Sequence, residues 1–360
     1  MIKRTFHPIG QGAFYSERHE NFNIVYDCGD SKNTKLADNV VKHSFGSTES
    51  IDILFISHFD YDHISKIGTL KNNCKKIKTV ILPLLHLDEI KLLTNFYNTQ
   101  GRNDIVKLIN NPSEYFGDST KIIHVMSGNN NEPVNDDIPE NIESLGNKIN
   151  SGTKITVHGL DWIYIPFNYE YNQRRNELEN FFLSNGLNIE KFKEDISYGL
   201  TYRKEIKNIY DKVTGKINQN SMMVYSGPVS HAHGYRKYSS CRTWHRCCDC
   251  RYCFNDCYTY NSACIFTGDA DLNVSDIRII FRNYWKSVGT IQIPHHGDFK
   301  SFNGKIFKHH HFCCPISFGT NNLYGHPSGK VFSELLSSCC FPIPVTEKRE
   351  SIFEELIEEY

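Results

Sequence analysis

The stretch Ile51–Ile67, IDILFISHFDYDHISKI, places an apolar run immediately before His58, Asp60, Asp62 and His63. The run is short, rich in isoleucine and phenylalanine, and ends at Ser57. It reads as a buried strand that delivers its polar residues at its C-terminal end, where layered α/β folds build binding sites. A spacing of two puts His58, Asp60 and Asp62 on one side of an extended chain, while His63 points elsewhere, so one loop can address two metal ions. The competing reading is a polar turn whose aspartates and histidines cap the next helix.

Working outward, two short strands are expected at Phe6–Phe14 and Asn23–Asp30, joined by a turn and closed by Asp27-Cys28-Gly29. Taken alone, that triplet is more often a turn than a site. A strand is expected at Thr79–Leu84 and a helical tract from about Asp88 to Leu108, with Leu92, Leu93, Phe96 and Tyr97 at helical spacing. Residues Ser127 to Ser151 are rich in Asn, Asp, Pro and Gly and read as a long exposed loop. Strands at Lys154–Val157 and Leu160–Phe167 follow. A helical insertion over 171–215, covering the site or a partner surface, comes next. Further strands are expected at Met222–Tyr225 and Ala263–Phe266, the latter running into Thr267-Gly268-Asp269. Ile291–Pro294 ends in His295-His296-Gly297, and Tyr324-Gly325-His326-Pro327 follows. Paired histidines at a strand end suit metal ligation or proton transfer near neutral pH.

The pattern H-x-D-x-D-H resembles the H-x-H-x-D-H signature of the metallo-β-lactamase superfamily, with aspartate in the second histidine position. The ordered set HFDYDH, TGD, PHHG and YGHP resembles the soluble hydrolase domain of ComEC-type competence proteins. The likeness runs to about Val331. It departs at Ser65-Lys66, where two glycines are usual, and at Asp298, where a serine is usual. It implies an α/β fold, a metallo-β-lactamase-like αββα sandwich with a helical insertion and a Cys-rich insert. The expected organisation is one domain over 1–345, with insertions at 171–215 (helical) and 231–260 (Cys/His-rich), then a C-terminal helix over 346–360.

The resemblance also implies a site. Its metal ligands would be His58, Asp60, Asp62, His63, Asp269, His295 and His326, with Asp269 bridging two divalent ions. Asp62, His295 and His296 would be catalytic, one of the two adjacent histidines serving proton transfer or phosphate contact. The expected activity is metal-dependent hydrolysis of phosphoester bonds, as in a phosphodiesterase or nuclease. The Asp60 carboxylate hardens the ligand set and favours manganese or iron beside zinc. A non-catalytic metal-binding sensor or scaffold, and a di-iron redox protein, are the competing classes.

The Cys-rich insert carries Cys247, Cys250, Cys253 and Cys257 in a C-x2-C-x2-C-x3-C spacing. Three uses are open: a structural zinc, the commonest fate of such loops, an iron–sulfur cluster, or no metal. Arg236, Lys237, Arg242, Arg246 and Arg251, interleaved with aromatics, suit phosphate contact and base stacking, or form a solvated loop.

The 360 residues hold 40 Lys plus Arg against 41 Asp plus Glu, so any anion-binding surface is local rather than global. Thirteen cysteines, an odd and clustered number, fit metal binding or reduced thiols better than a disulfide framework. No apolar stretch has the length of a membrane helix and no signal-peptide core is present, so a cytoplasmic protein without membrane insertion is expected. The expected partners are a phosphoester substrate, nucleic acid among the candidates, and a protein bound through the helical or Cys-rich insert.

Overall fold

In the computed structural model, all residues are described except 33, 130, 131, 136, 171, 213–219, 230–234, 240–260 and 360. Among the described residues, two sheets lie face to face. The first runs 235–239, 353–359, 2–6, 14–18, 23–28, 50–55, 76–83, 121–125 and 148–149. The second runs 341–345, 313–317, 288–291, 263–266, 220–228, 162–170, 155–156 and 140–141, with 127–128 beside 162–170. Within each sheet an antiparallel part gives way to a parallel run. In the first sheet the parallel strands are Asn23–Cys28, Ser50–Phe55, Lys76–Pro83 and Lys121–Val125. In the second they are Ala263–Phe266, Val288–Ile291, Cys313–Ser317 and Phe341–Val345.

Parallel strands covered on both faces need apolar residues on both, which explains the continuous run from Ile51. Ile53 and Phe55 join the core between the sheets, with Tyr26, Tyr164, Val224 and Phe266. Leu54 and Ile56 face a second core, with Val41, Leu70, Leu92 and Phe96 of the covering helices. A third core, including Ile277, Ile280, Val331 and Leu335, covers the outer face of the second sheet. The result is the αββα sandwich expected from the sequence.

The helical insertion is present as Asn172–Ser184, Ile189–Glu194, Ile196–Thr201 and Arg203–Lys212. Leu178, Phe182, Phe192 and Ile206 extend the outer core of the first sheet, against helix Leu87–Thr99. Asn95 of that helix donates to the carbonyls of Phe192 and Lys193.

Several expectations need correction, the first being the strand at Phe6–Phe14, which is the connection between strands Ile2–Phe6 and Phe14–Arg18. The tract from Asp88 to Leu108 is two helices, Leu87–Thr99 and Asn103–Asn110, parted at Gly101 with φ of 70°. The stretch from Ser127 to Ser151 is not simply exposed, because it gives edge strands to both sheets and buries Val134, Ile142, Leu145 and Ile149.

The chain end is not a helix but strand Phe353–Glu359, antiparallel to Ile2–Phe6. Phe353, Glu355 and Ile357 are buried while Leu356 is exposed, a period of two. Glu355 tolerates burial because Arg4 pairs with it at 2.7 Å and Lys237 at 3.0 Å, Arg4 also pairing with Glu17 at 2.6 Å. Lys237, expected in a basic loop that contacts phosphate or is solvated, does neither: strand Tyr235–Ser239 pairs with Phe353–Glu359 and the Lys237 amine is buried, donating to Thr290 Oγ1 at 2.8 Å.

Candidate metal centre

The C-terminal ends of parallel strands from both sheets meet at one place. Asp27 ends Asn23–Cys28, and Ser57, His58, Asp60, Asp62 and His63 follow Ser50–Phe55. From the other sheet come Asp269 after Ala263–Phe266, His295 and His296 after Val288–Ile291, and Ser317 at the end of Cys313–Ser317. His58, Asp60, Asp62, His63, Asp269 and His296 are all buried.

Two glycines permit this convergence. A Cβ on Gly29 would lie 2.4 Å from the backbone of Asp62, and one on Gly268 would lie 2.8 Å from Ser57 Cβ. Gly268 also has φ of +56°, a region costly for residues with a side chain. The loop that carries Asp269 is held by Gln292, whose Oε1 accepts from the backbone N–H of Thr267 at 2.8 Å and of Gly268 at 2.9 Å. Asp269 N donates to Ser221 Oγ at 3.1 Å. Asp27, His295 and His296 each adopt positive φ, 55°, 50° and 55°. Asparagine, aspartate and histidine reach this region more often than other non-glycine residues, yet such backbone commonly marks a site held in place by its surroundings.

Hydrogen bonds fix the tautomers of three histidines. His63 Nδ1 lies 2.7 Å from Asp27 Oδ2, an acceptor, so Nδ1 carries the proton. Ser57 Oγ donates to the same Oδ2 at 2.6 Å and therefore accepts from His58 Nδ1 at 2.8 Å. His296 Nδ1 donates to the Ser317 carbonyl at 2.8 Å. In each neutral ring, Nε2 is then a lone-pair acceptor. Yet His63 Nε2 faces Asp269 Oδ1 at 3.2 Å, and His58 Nε2 faces Asp60 Oδ2 and Asp269 Oδ2, both at 3.5 Å. His296 Nε2 faces Asp62 Oδ2 at 3.1 Å.

Acceptor facing acceptor in a buried site requires a second proton on each ring or a cation between the atoms. Among the described residues, His58 Nε2 and His63 Nε2 find no hydrogen-bond partner despite this proximity. Donor atoms of His58, His63 and Asp269 lie within 4.8 Å of one another, as do those of Asp62, His63 and His296. Imidazole and carboxylate donors at this spacing fit a divalent cation, with the outer nitrogens oriented by second partners as metal-binding histidines require. His63 belongs to both groups but offers one lone pair, so it serves one ion at a time.

The field of the site agrees. Burial works against a charged His63, yet Asp269 and Asp27 more than offset it and hold its pKa well above the usual imidazole value. Burial and His63 work against protonation of His58, while Asp269 and Asp60 raise its pKa on balance. Burial opposes ionisation of Asp269, but His295, His63 and His58 bring its pKa well below the carboxylate range. A pocket that favours positive charge on its imidazoles favours a metal ion in place of those protons.

The expected residues divide. His58, Asp60, Asp62, His63 and Asp269 come together, and His296 joins them. His295 is partly exposed, its Nε2 3.8 Å from Asp269 and its Nδ1 3.9 Å from Asp298. His326 lies further out, its ring centroid 5.9 Å from that of His295. Asp60 occupies the N-cap position of helix Tyr61–Ile64 but makes no side-chain capping bond, so the capping reading does not hold for it. Cys247, Cys250, Cys253 and Cys257 lie outside the described residues. Sequence reasoning undervalued Asp27 and missed Ser57 and Ser317. The strand-end position of Asp27 was the available signal for the first. The two serines carry no pattern of their own.

No protein-family model matches the chain, and no curated protein does. Among solved structures, the metallo-beta-lactamase fold protein YhfI from Bacillus subtilis is 11% identical, over 48% of this chain and 54% of that one, with a TM-score of 0.26. Human tRNase Z, short form, is 14% identical over 47% of this chain and 61% of that one, also with a TM-score of 0.26. The chain thus matches little more than half the length of either protein.

Proposed function

We propose that this chain is a metal-dependent hydrolase of the metallo-β-lactamase superfamily, of ComEC type, acting on phosphoester bonds. The supporting observation is the set of three buried histidines whose Nε2 lone pairs face Asp60, Asp62 and Asp269. His58, His63 and Asp269, with Asp60 beside them, would hold one divalent ion. Asp62 and His296 would contribute to a second, taking His326 or substrate as a further ligand. An ion so bound supplies Lewis acidity toward a phosphoryl oxygen and acidifies water.

The remaining work falls to the chain. Asp62 accepts a proton from the attacking water. His295, partly exposed with Asp298 3.9 Å from its Nδ1, would give a proton to the leaving alcohol. Asp27 and Ser57 hold the ring planes of His58 and His63, which keeps both lone pairs aimed. No serine or cysteine nucleophile is required. Metal analysis of the purified protein, with activity measured on bis-p-nitrophenyl phosphate, nucleic acids and a thioester panel, tests this reading. Hydrolysis of thioesters alone would overturn the phosphoester assignment.

A further inference from the structure

A succession of rings leads outward from the buried centre. The centroid of His63 lies 6.0 Å from His296, His296 lies 6.3 Å from His295, and His295 lies 5.9 Å from His326. Tyr324 closes the series, its ring 6.1 Å from His326 and nearly parallel to it at 12°. Exposure rises along the way, from buried His296 to Tyr324 at 58%, beside fully exposed Leu323.

The position of Tyr324 is imposed by its loop. Asn322 Oδ1 accepts from the backbone N–H of Tyr324 at 3.1 Å and of His326 at 3.2 Å. Its Nδ2 donates to the carbonyls of Gly319 at 2.7 Å and His326 at 2.6 Å. One amide thus ties both ends of the turn. Thr320 N donates to Glu347 Oε2 at 3.0 Å and the Lys32 amine to the Asn321 carbonyl at 2.9 Å, fixing the base of the same loop. These bonds hold the backbone that carries the Tyr324 ring, so less backbone entropy is lost when a partner stacks on it. Cationic Lys32 at the loop, and Lys330 over the Phe299 ring at 5.1 Å, suit a neighbouring phosphate backbone.

We infer that Tyr324 is a substrate-binding residue, a platform on which a nucleobase flanking the scissile phosphoester stacks. This rests on the hydrolase reading for its location, but binding is separable from turnover. Sequence-tolerant stacking is what such a platform offers, because every base presents a π-face.

The test compares a fluorescein-labelled oligothymidylate with an abasic oligomer of the same length, by anisotropy with the full metal-free chain and by steady-state hydrolysis with manganese present. Wild type is expected to bind the base-containing strand about 5- to 100-fold more tightly, from the usual effect of removing one aromatic stacking partner. Tyr324→Phe keeps that ratio. Tyr324→Ala brings it close to one and raises KM for the thymidylate more than it lowers kcat. An unchanged ratio in Tyr324→Ala, with wild type hydrolysing bis-p-nitrophenyl phosphate, overturns the platform and leaves the hydrolase reading standing. Tyr324-dependent binding by a wild type that hydrolyses no phosphodiester overturns the hydrolase reading and leaves the platform.

Discussion

His296 and Asp62, which are 234 residues apart in the chain, bring a ring nitrogen and a carboxylate oxygen to 3.1 Å. Because His296 Nδ1 is committed to the Ser317 carbonyl, the facing Nε2 and Oδ2 need a positive charge between or upon them. The contact joins the loop after Ser50–Phe55 in one sheet to the turn after Val288–Ile291 in the other. A metal ion held there would cross-link the two halves of the sandwich.

His296→Ala should therefore lower thermal stability of the metal-loaded protein more than that of the chelator-treated protein. A ligand bound only by the folded state stabilises it by an amount that grows with the logarithm of its affinity. Differential scanning fluorimetry with and without chelator reads the difference. Equal shifts in both states would remove His296 from the ligand set.

Asp27 is expected to act through the rings that it orients. Asp27→Asn keeps the shape but weakens its bonds to the His63 ring and the Ser57 hydroxyl, and loss of such a supporting partner typically costs about 10- to 100-fold in metal affinity. Competition titration against a chromogenic chelator measures it. Ser57→Ala removes the partner of His58 Nδ1 but leaves the Asp27 bond to His63, and so should cost less than Asp27→Asn.

Gly29→Ala tests the close approach of the first hairpin to the metal loop. The added methyl would lie 2.4 Å from the Asp62 backbone, so the loop must move. Metal content and turnover should fall together while the far-UV circular dichroism spectrum is retained. Normal metal content would show that the loop has room to shift.

Glu355 carries a pH-dependent share of stability. Burial opposes its ionisation, but Lys237 and Arg4 more than offset this and bring its pKa down to about 2. A folded-state pKa below the unfolded value near 4.5 means the contribution is complete above about pH 4.5 and is lost as pH falls toward 2. Urea unfolding should show Glu355→Gln destabilised by about 3–5 kcal/mol at pH 7, since it strips a partner from buried cations. The gap from wild type should narrow between pH 4.5 and 2. A gap independent of pH would indicate packing rather than charge.

Much of the site was legible because its chemistry is dense locally. Four side chains able to ligate a metal, within six residues after an apolar run, are enough to place a strand end and a loop. Asp269 was legible from its strand and its glycine. The choice between His295 and His296 was not, since both have positive φ and the turn decides which ring faces inward. The terminal strand was misread for a related reason. Ile352, Phe353, Leu356 and Ile357 fit a helical stripe, and the real pattern includes Glu355, which looks like a surface acid until Arg4, 351 residues away in sequence, is seen beside it. Long-range pairing of charges leaves no local trace.

The most direct test of the central claim is the metal content, by inductively coupled plasma mass spectrometry, of wild type and His63→Ala purified identically. Wild type should retain at least one equivalent of a divalent transition metal, and His63→Ala, which takes an imidazole from the group it forms with His58 and Asp269, should retain less, with both proteins folded. Equal metal content in the two proteins would contradict it.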